Sequence, residues 1–454
     1  MMGRSIRFFG SLVMVVLSLT AALSGAKYVV GYYPAWNRYT FSADKIEFQH
    51  LTHITHAFIW PKSDGKLDKY STIPYPDLVN KTHQAGKKIL ISVGGWGNCT
   101  YFSGILADST KRQKFIDNLV SFCNDNGYDG VDLDWEYPGS SDKNNLTQFV
   151  IALNQAIKAD DSTRIVTMAV PAGAWSGQNY DFSGMAAYVE WFGCMTYDFH
   201  GTWTNHAGHN APLYAPSNEY DGSAHESIQY LKSRSLPGNK ILVGIPFYGR
   251  RFTATGLYQN STGGEGLNYS EIVSKIGNGW IYHWDSVAKV PYLTNTGNSQ
   301  LITFDDTASV RNKCEYVLAQ GLSGVLIWHI GQDQIDDEQP LLSLIGTKLL
   351  TETSISDELL SGGILPEEIK ITGVFPNPFN SSIKIKYKIS EPMNVRIELF
   401  NLLGRKMDCL KEGYQNSGNH YLTYQPVNLT SGCYFIVFSN ENGFTCASKV
   451  IYLK

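Results

Sequence analysis

Cysteine is scarce in this 454-residue chain. Its seven residues are Cys99, Cys123, Cys194, Cys314, Cys409, Cys433 and Cys446, and no pair stands at CxxC spacing. A thiolate zinc site is therefore not expected. The odd count leaves at least one thiol unpaired in a monomer, and nothing suggests a fold that depends on disulfides. Charge is sparse as well, at 17% of residues with a formal net charge of -4. There is no basic stripe, so a nucleic-acid partner is not expected. Long apolar runs are missing after the N-terminus. The first residues, "MMGRSIR", supply Arg4 and Arg7, "FFGSLVMVVLSL" supplies an apolar stretch, and Ser24-Gly25-Ala26 ends in small residues. That order reads as a secretory signal peptide over 1–26, with the mature chain starting near Lys27. The apolar stretch falls short of the about 20 residues a membrane span needs.

Apolar and aromatic residues are plentiful. The chain is 43% hydrophobic, with 10 Trp and 27 Tyr. That composition describes a folded protein, and the length suits one large barrel plus a smaller domain. Near-continuously apolar β-type runs recur at 27–33, 53–60, 87–95, 130–136, 164–170, 190–197, 240–247 and 323–330. Such runs suit a parallel sheet buried on both faces. Amphipathic helical patterns lie between several of them, as at 111–124 and 144–158. Eight such strands predict an α/β fold, a (β/α)8 TIM barrel over 27–350. The interval 251–304 is too long for a simple loop and reads as a small α+β insertion. Residues 351–368 lack periodicity and read as a linker. The remainder, 369–454, carries short alternating runs such as "SIKIKYKI" between Gly, Asn and Pro turns, which predicts an all-β sandwich.

One segment is chemically unusual. "DGVDLDWE" (129–136) sets Asp132, Asp134 and Glu136 on alternate positions of a strand. Side chains alternate faces along a strand. Val131, Leu133 and Trp135 can therefore pack outward on helices while the three acids face the barrel axis. Glu136 comes last, nearest the C-terminal barrel end where active sites gather. Burial and like charge both raise carboxyl pKa values. Asp132 and Asp134 can then share a proton while Glu136 stays protonated enough to act as a general acid. A buried salt-bridge site is a bland alternative. A Mg²⁺ or Ca²⁺ site is another, but no His or Asn cluster accompanies the strand. His200 and His206, six residues apart without a carboxylate partner, make a weak metal pair.

These residues resemble a known family. "DGVDLDWE" is similar to the DxxDxDxE signature of glycoside hydrolase family 18, the chitinases. "KILISVGGW" (88–96), with Ser92, Gly94 and Gly95, resembles its SxGG strand. "MTYDFHGTW" (195–203), "GHNAPLY" (208–214), "GIPFYGR" (244–250) and the Trp328 strand resemble further motifs in the same order. The resemblance covers about 27–345 and implies hydrolysis of β-1,4 bonds between N-acetylglucosamine units, without metal or cofactor. It implies catalytic roles for Glu136, Asp134, Asp132 and Tyr197. Glu136 is the acid, Asp134 orients the substrate acetamido group, Asp132 holds a shared proton, and Tyr197 donates to the acetamido oxygen. It implies binding roles for Tyr33, Phe58, Trp96, Met195, Asp198, Trp203, Tyr248, Arg250 and Trp328. Trp328 would floor the reacting sugar, and Trp96 and Trp203 would stack on the aglycon side. Gly94 and Gly95 read as close packing beside the acidic strand.

"VFPNPFNSS" (374–382), "ELFNLLGRKM" (398–407), "LTSGCYFIVF" (429–438) and the terminal "KVIYLK" resemble the sorting domain of the type IX secretion system. The implied location is outside the cell or on its surface, after passage through the periplasm. A sugar-binding module would be expected to show exposed Trp, and 370–454 contains no Trp. A barrel lectin would lack the acid that Glu136 supplies. A related endo-N-acetylglucosaminidase acting on glycoproteins or peptidoglycan would share the acidic strand. The aromatic aglycon positions favour chitin. Chitin, N-acetylglucosamine oligomers and the secretion machinery are the expected partners of a monomeric chain.

Overall fold

Eight of the apolar runs pair in sequence order and close on themselves. They are β1 (Tyr28–Pro34), β2 (His53–Pro61), β3 (Lys88–Gly94), β4 (Gly130–Asp134), β5 (Ile165–Val170), β6 (Phe192–Cys194), β7 (Ile241–Pro246) and β8 (Gly324–Trp328). All neighbours are parallel, and β1 pairs with both β2 and β8, so the sheet has no free edge apart from the short antiparallel Leu67–Lys69 added to β2. The computed structural model describes residues 27–216, 222–335, 338–350, 369–389, 392–401, 406–427, 429–440 and 445–454. The expected signal peptide and linker lie outside them. The chain divides into two compact units, Met1–Leu350 and Thr351–Lys454.

Helices cover the outside of the barrel. The helix Ser109–Asn126 starts where the Asp108 side chain accepts the Thr110 and Lys111 N–H groups, and it stops at Gly127 with φ 73°. An acidic N-cap and a left-handed glycine are what the unsatisfied helix ends require. Its Phe115 stacks on Phe149 of the helix Lys143–Asp160, ring centroids 5.4 Å apart. Fully burying one such ring stabilises by about 1.5–3 kcal/mol. Val131, Leu133 and Trp135 join this outer layer, and Trp135 stacks on Phe102 at 5.0 Å. The expected outward face of β4 is therefore apolar and packed.

The insertion between β7 and β8 is a five-stranded antiparallel sheet with a helix at Tyr269–Val273. Its sheet starts at Tyr248 and ends at Thr303, three residues earlier at the front than the reading from Arg251. Tyr248 and Arg250 thus belong to a strand that leaves the barrel mouth directly.

The C-terminal unit has two antiparallel sheets, one of three strands and one of four. Ile383, Ile385, Tyr387 and Ile389 of the first share a core with Val395, Ile397, Leu399, Ile436 and Phe438 of the second. The alternation of Ile383–Ile389, buried at every odd position, is the direct cause. No described helix is long and apolar enough to cross a membrane.

Candidate active site

The C-terminal ends of the barrel strands open into a cavity of about 970 Å³. Asp134 and Glu136 line it at the end of β4. Asp132 sits one layer below, 2% exposed. Three hydroxyls converge on its carboxylate: Tyr32 at 2.6 Å, Ser92 at 2.8 Å and Thr167 at 2.7 Å. Burial pushes the Asp132 pKa up, and these donors pull against it. Asp134 is pushed well above the ordinary carboxyl range, first by burial and then by Glu136 and Asp132. Its Oδ1 is buried without a protein partner. Glu136 is raised to about 7, mainly by burial, with the Asp198 charge adding to it. The Tyr137 hydroxyl and the Trp96 backbone N–H both donate to the Glu136 carboxyl and oppose the rise. Burial thus raises all three acids on one strand face, and the outermost, Glu136 at about 7, is poised to exchange a proton near neutral pH.

The glycines beside this strand are steric necessities. Gly94 has φ +120°, and a Cβ there would lie 2.1 Å from the Asp134 carbonyl oxygen. Gly95 has φ +81°, and its Cβ would meet the Phe58 ring at 2.7 Å. Both positions let β3 and Phe58 close on the acids, as the sequence reading favoured.

Trp328 forms an aromatic floor with Phe58, centroids 5.7 Å apart and stacked, and with Tyr32 at 5.5 Å. Tyr197 and Met195 line the cavity from beyond β6. Burial raises the Tyr197 pKa well above its usual value, so it is a hydroxyl donor at neutral pH. Asp198 follows with φ 61°, a left-handed conformation that costs a non-glycine residue on the order of 1 kcal/mol or more. Its N–H donates to Asn210 Oδ1 at 3.2 Å. Its carboxylate accepts from Tyr248 at 2.7 Å and from Arg250 Nη2 at 2.6 Å. The Arg250 guanidinium in turn lies 4.9 Å from the centroid of the Trp203 ring. Trp96 and Trp203 stand exposed at the rim.

The structure thus brings together all but two of the expected site residues around one cavity. Asp132 lies just beneath it. Tyr33 does not belong to it: it is fully buried on the outer face of β1, where its hydroxyl donates to the Phe41 carbonyl at 2.6 Å. Alternation along the strand turns Tyr32 inward instead. The cavity also takes in Trp36, Tyr70, Tyr137, Trp175 and Glu226, which sequence reasoning had not assigned. Four tryptophans, Trp36, Trp96, Trp175 and Trp203, are at least 47% exposed, and all four line this cavity. Exposed tryptophan gathered in one concavity is a ligand platform far more than a packing accident. His200 and His206 approach to 3.2 Å, Nε2 to Nε2. Among the described residues no group of three His, Cys, Asp or Glu is placed to hold a metal ion.

Residues 28–333 match the family model described as glycosyl hydrolases family 18. Residues 373–453 match a secretion system C-terminal sorting domain. Chitinase A1 of Niallia circulans is 29% identical over 448 residues, covering 79% of this chain and 63% of that protein. A probable endochitinase of Caenorhabditis elegans is 32% identical over 353 residues, covering 70% of this chain and 56% of that protein. This chain therefore spans less than two thirds of either relative. The crystal structure of Ostrinia furnacalis Group IV chitinase superposes with a TM-score of 0.67 at 28% identity, over 71% of this chain and 99% of that one.

Proposed function

The chain belongs to glycosyl hydrolases family 18, and from that membership and the site geometry we propose that it is a secreted chitinase. It cleaves β-1,4 bonds between N-acetylglucosamine units with retention, using the substrate's own acetamido group. One observation carries this reading: Glu136, with its carboxyl raised to about 7, shares the cavity with Asp134, whose buried Oδ1 lacks a partner.

Each step follows from that pair. Glu136 gives its proton to the glycosidic oxygen, and the bond to C1 breaks. The acetamido oxygen of the sugar over Trp328 attacks C1 and closes an oxazolinium ring. Family 18 is one of the substrate-assisted exceptions to two-carboxylate hydrolysis. The acetamido N–H is a donor suited to Asp134 Oδ1, which has no protein partner. Accepting it aligns the group and stabilises the positive charge of the ring. Tyr197 donates to the acetamido oxygen. Asp132, tied to three hydroxyls, takes up the proton balance of the Asp134 side chain. Glu136, now a carboxylate, then removes a proton from the incoming water, which opens the ring at C1. The Asp198–Tyr248–Arg250 network holds the far wall of the cavity.

Trp328, Phe58 and Met195 would hold the reacting sugar, with Trp96 and Trp203 under the departing units. Sugar faces are apolar and flat, which suits indole. The sorting-domain match over 373–453 supports release outside the cell or onto its surface by type IX secretion. Glu136→Gln keeps the shape of the side chain and removes the acid. It should abolish turnover of chitin oligomers, by about 10²–10⁴-fold for a lost general acid, while oligomer binding by calorimetry persists. Turnover above a tenth of the unaltered enzyme would remove Glu136 from the mechanism.

A further inference from the structure

Trp175 follows β5 on a short helical turn, Ala174–Gly177, and is 64% exposed at the cavity rim. In a closed ring of eight strands, β5 stands four strands from β1 in either direction. Trp175 therefore faces Trp36, which follows β1, across the whole mouth. It lies on the same half of the ring as Trp96 after β3 and Trp203 after β6.

The turn that carries it is tied to the acidic strand. Asn179 Nδ2 donates to the Pro138 carbonyl at 2.9 Å, and the Tyr180 hydroxyl to the Trp135 carbonyl at 3.2 Å. The Trp175 ring meets Tyr137 edge to face, centroids 4.7 Å apart. Tyr137 itself donates to Glu136. The indole is thus fixed one aromatic ring away from the acid, yet most of its surface is open. A platform held in place before binding adds little ordering cost when a ligand arrives. Glu226 lines the same cavity, on a helix whose Ser227 hydroxyl donates to the Ala172 carbonyl three residues before Trp175. It is exposed, accepts from the Ser223 hydroxyl, and among the described residues has no ion-pair partner. A flat apolar face beside a carboxylate acceptor suits a pyranose, which offers C–H groups on its faces and hydroxyls on its rim.

We propose that Trp175, flanked by Glu226, forms an additional aglycon platform that binds a sugar unit of long N-acetylglucosamine chains and sets the enzyme's preference for chain length. This rests on the chitinase reading above and extends it. The test uses the full chain. In the Glu136→Gln background, adding Trp175→Ala should weaken calorimetric binding of the hexamer about tenfold, and that of the dimer by less than twofold. Trp175→Tyr should restore most of the loss. In the active enzyme, Trp175→Ala should lower kcat/KM selectively for the longest oligomers, with the change in KM. An equal loss for every chain length would assign Trp175 a structural role and overturn the proposal. No loss for the hexamer would overturn it too. Binding is read without turnover, so a failure of the hydrolytic assignment would appear as an inactive unaltered enzyme and leave the binding comparison intact.

Discussion

Tyr137→Phe isolates one force on the catalytic acid. The Tyr137 hydroxyl donates to the Glu136 carboxyl, and this bond favours the ionised form. Removing it should push the Glu136 pKa further up from about 7. A hydrogen bond to a charged group contributes about 1.5–3 kcal/mol. Glu136 is partly exposed at the cavity mouth, so water recovers some of this. At about 1.4 kcal/mol per pKa unit, the net change should be about one unit. The phenyl ring keeps its contact with Trp175, and the Trp96 N–H still donates. The sign is fixed by the role of the group. The acid must be protonated in the free enzyme, so activity falls as pH rises through its pKa. The basic limb of log kcat/KM against pH should therefore move upward by about one unit, with the plateau within about threefold of the unaltered enzyme. Hydrolysis of a soluble oligomer between pH 4 and 10 reads this directly. A limb that stays in place, or moves to lower pH, would refute Glu136 as the titrating acid or Tyr137 as its donor.

Activity should survive exhaustive EDTA treatment, since Asp132 is satisfied by three hydroxyls and needs no cation; loss that returns only with a divalent ion would reject this. Residues 27–350 should hydrolyse soluble oligomers as fast as residues 27–454, because each unit has its own core. In the native host, deleting 370–454 should strand active enzyme in the periplasm. Normal appearance of the truncated protein in the medium would reject the sorting role. Loss of insoluble-chitin binding alone would instead mark the sandwich as a binding module.

The acidic strand was legible because its two faces differ. Asp132, Asp134 and Glu136 alternate with Val131, Leu133 and Trp135, and only one arrangement buries the apolar set on helices. The other strands were legible for the opposite reason, as runs too apolar to face water on either side. β1 was not legible at this resolution. In "YVVGYY" both faces are apolar, so the pattern cannot say which tyrosine turns inward, and the structure chose Tyr32 over Tyr33. The wall formed by Tyr137, Trp175 and Glu226 was missed for a different reason. Loop side chains follow no period, and their direction is set by contacts such as Asn179 to Pro138 that are distant in sequence. A local cue did exist: Trp175 stands between Gly173 and Gly177, an exposed-turn setting that is unusual for a core indole. The start of the insertion was blurred because β7 runs into Tyr248–Thr253 with one residue between.

Substrate assistance is the central claim, and partially deacetylated chitin tests it most directly. A glucosamine unit has no acetamido oxygen, so it cannot occupy the site over Trp328 and react. Sequencing the products of exhaustive digestion by the full-length enzyme should find N-acetylglucosamine at essentially every newly formed reducing end, whatever the composition elsewhere. Glucosamine at a substantial share of those ends would mean that the attacking group comes from the enzyme or from water, and would contradict the role assigned to Asp134 and its unpartnered oxygen.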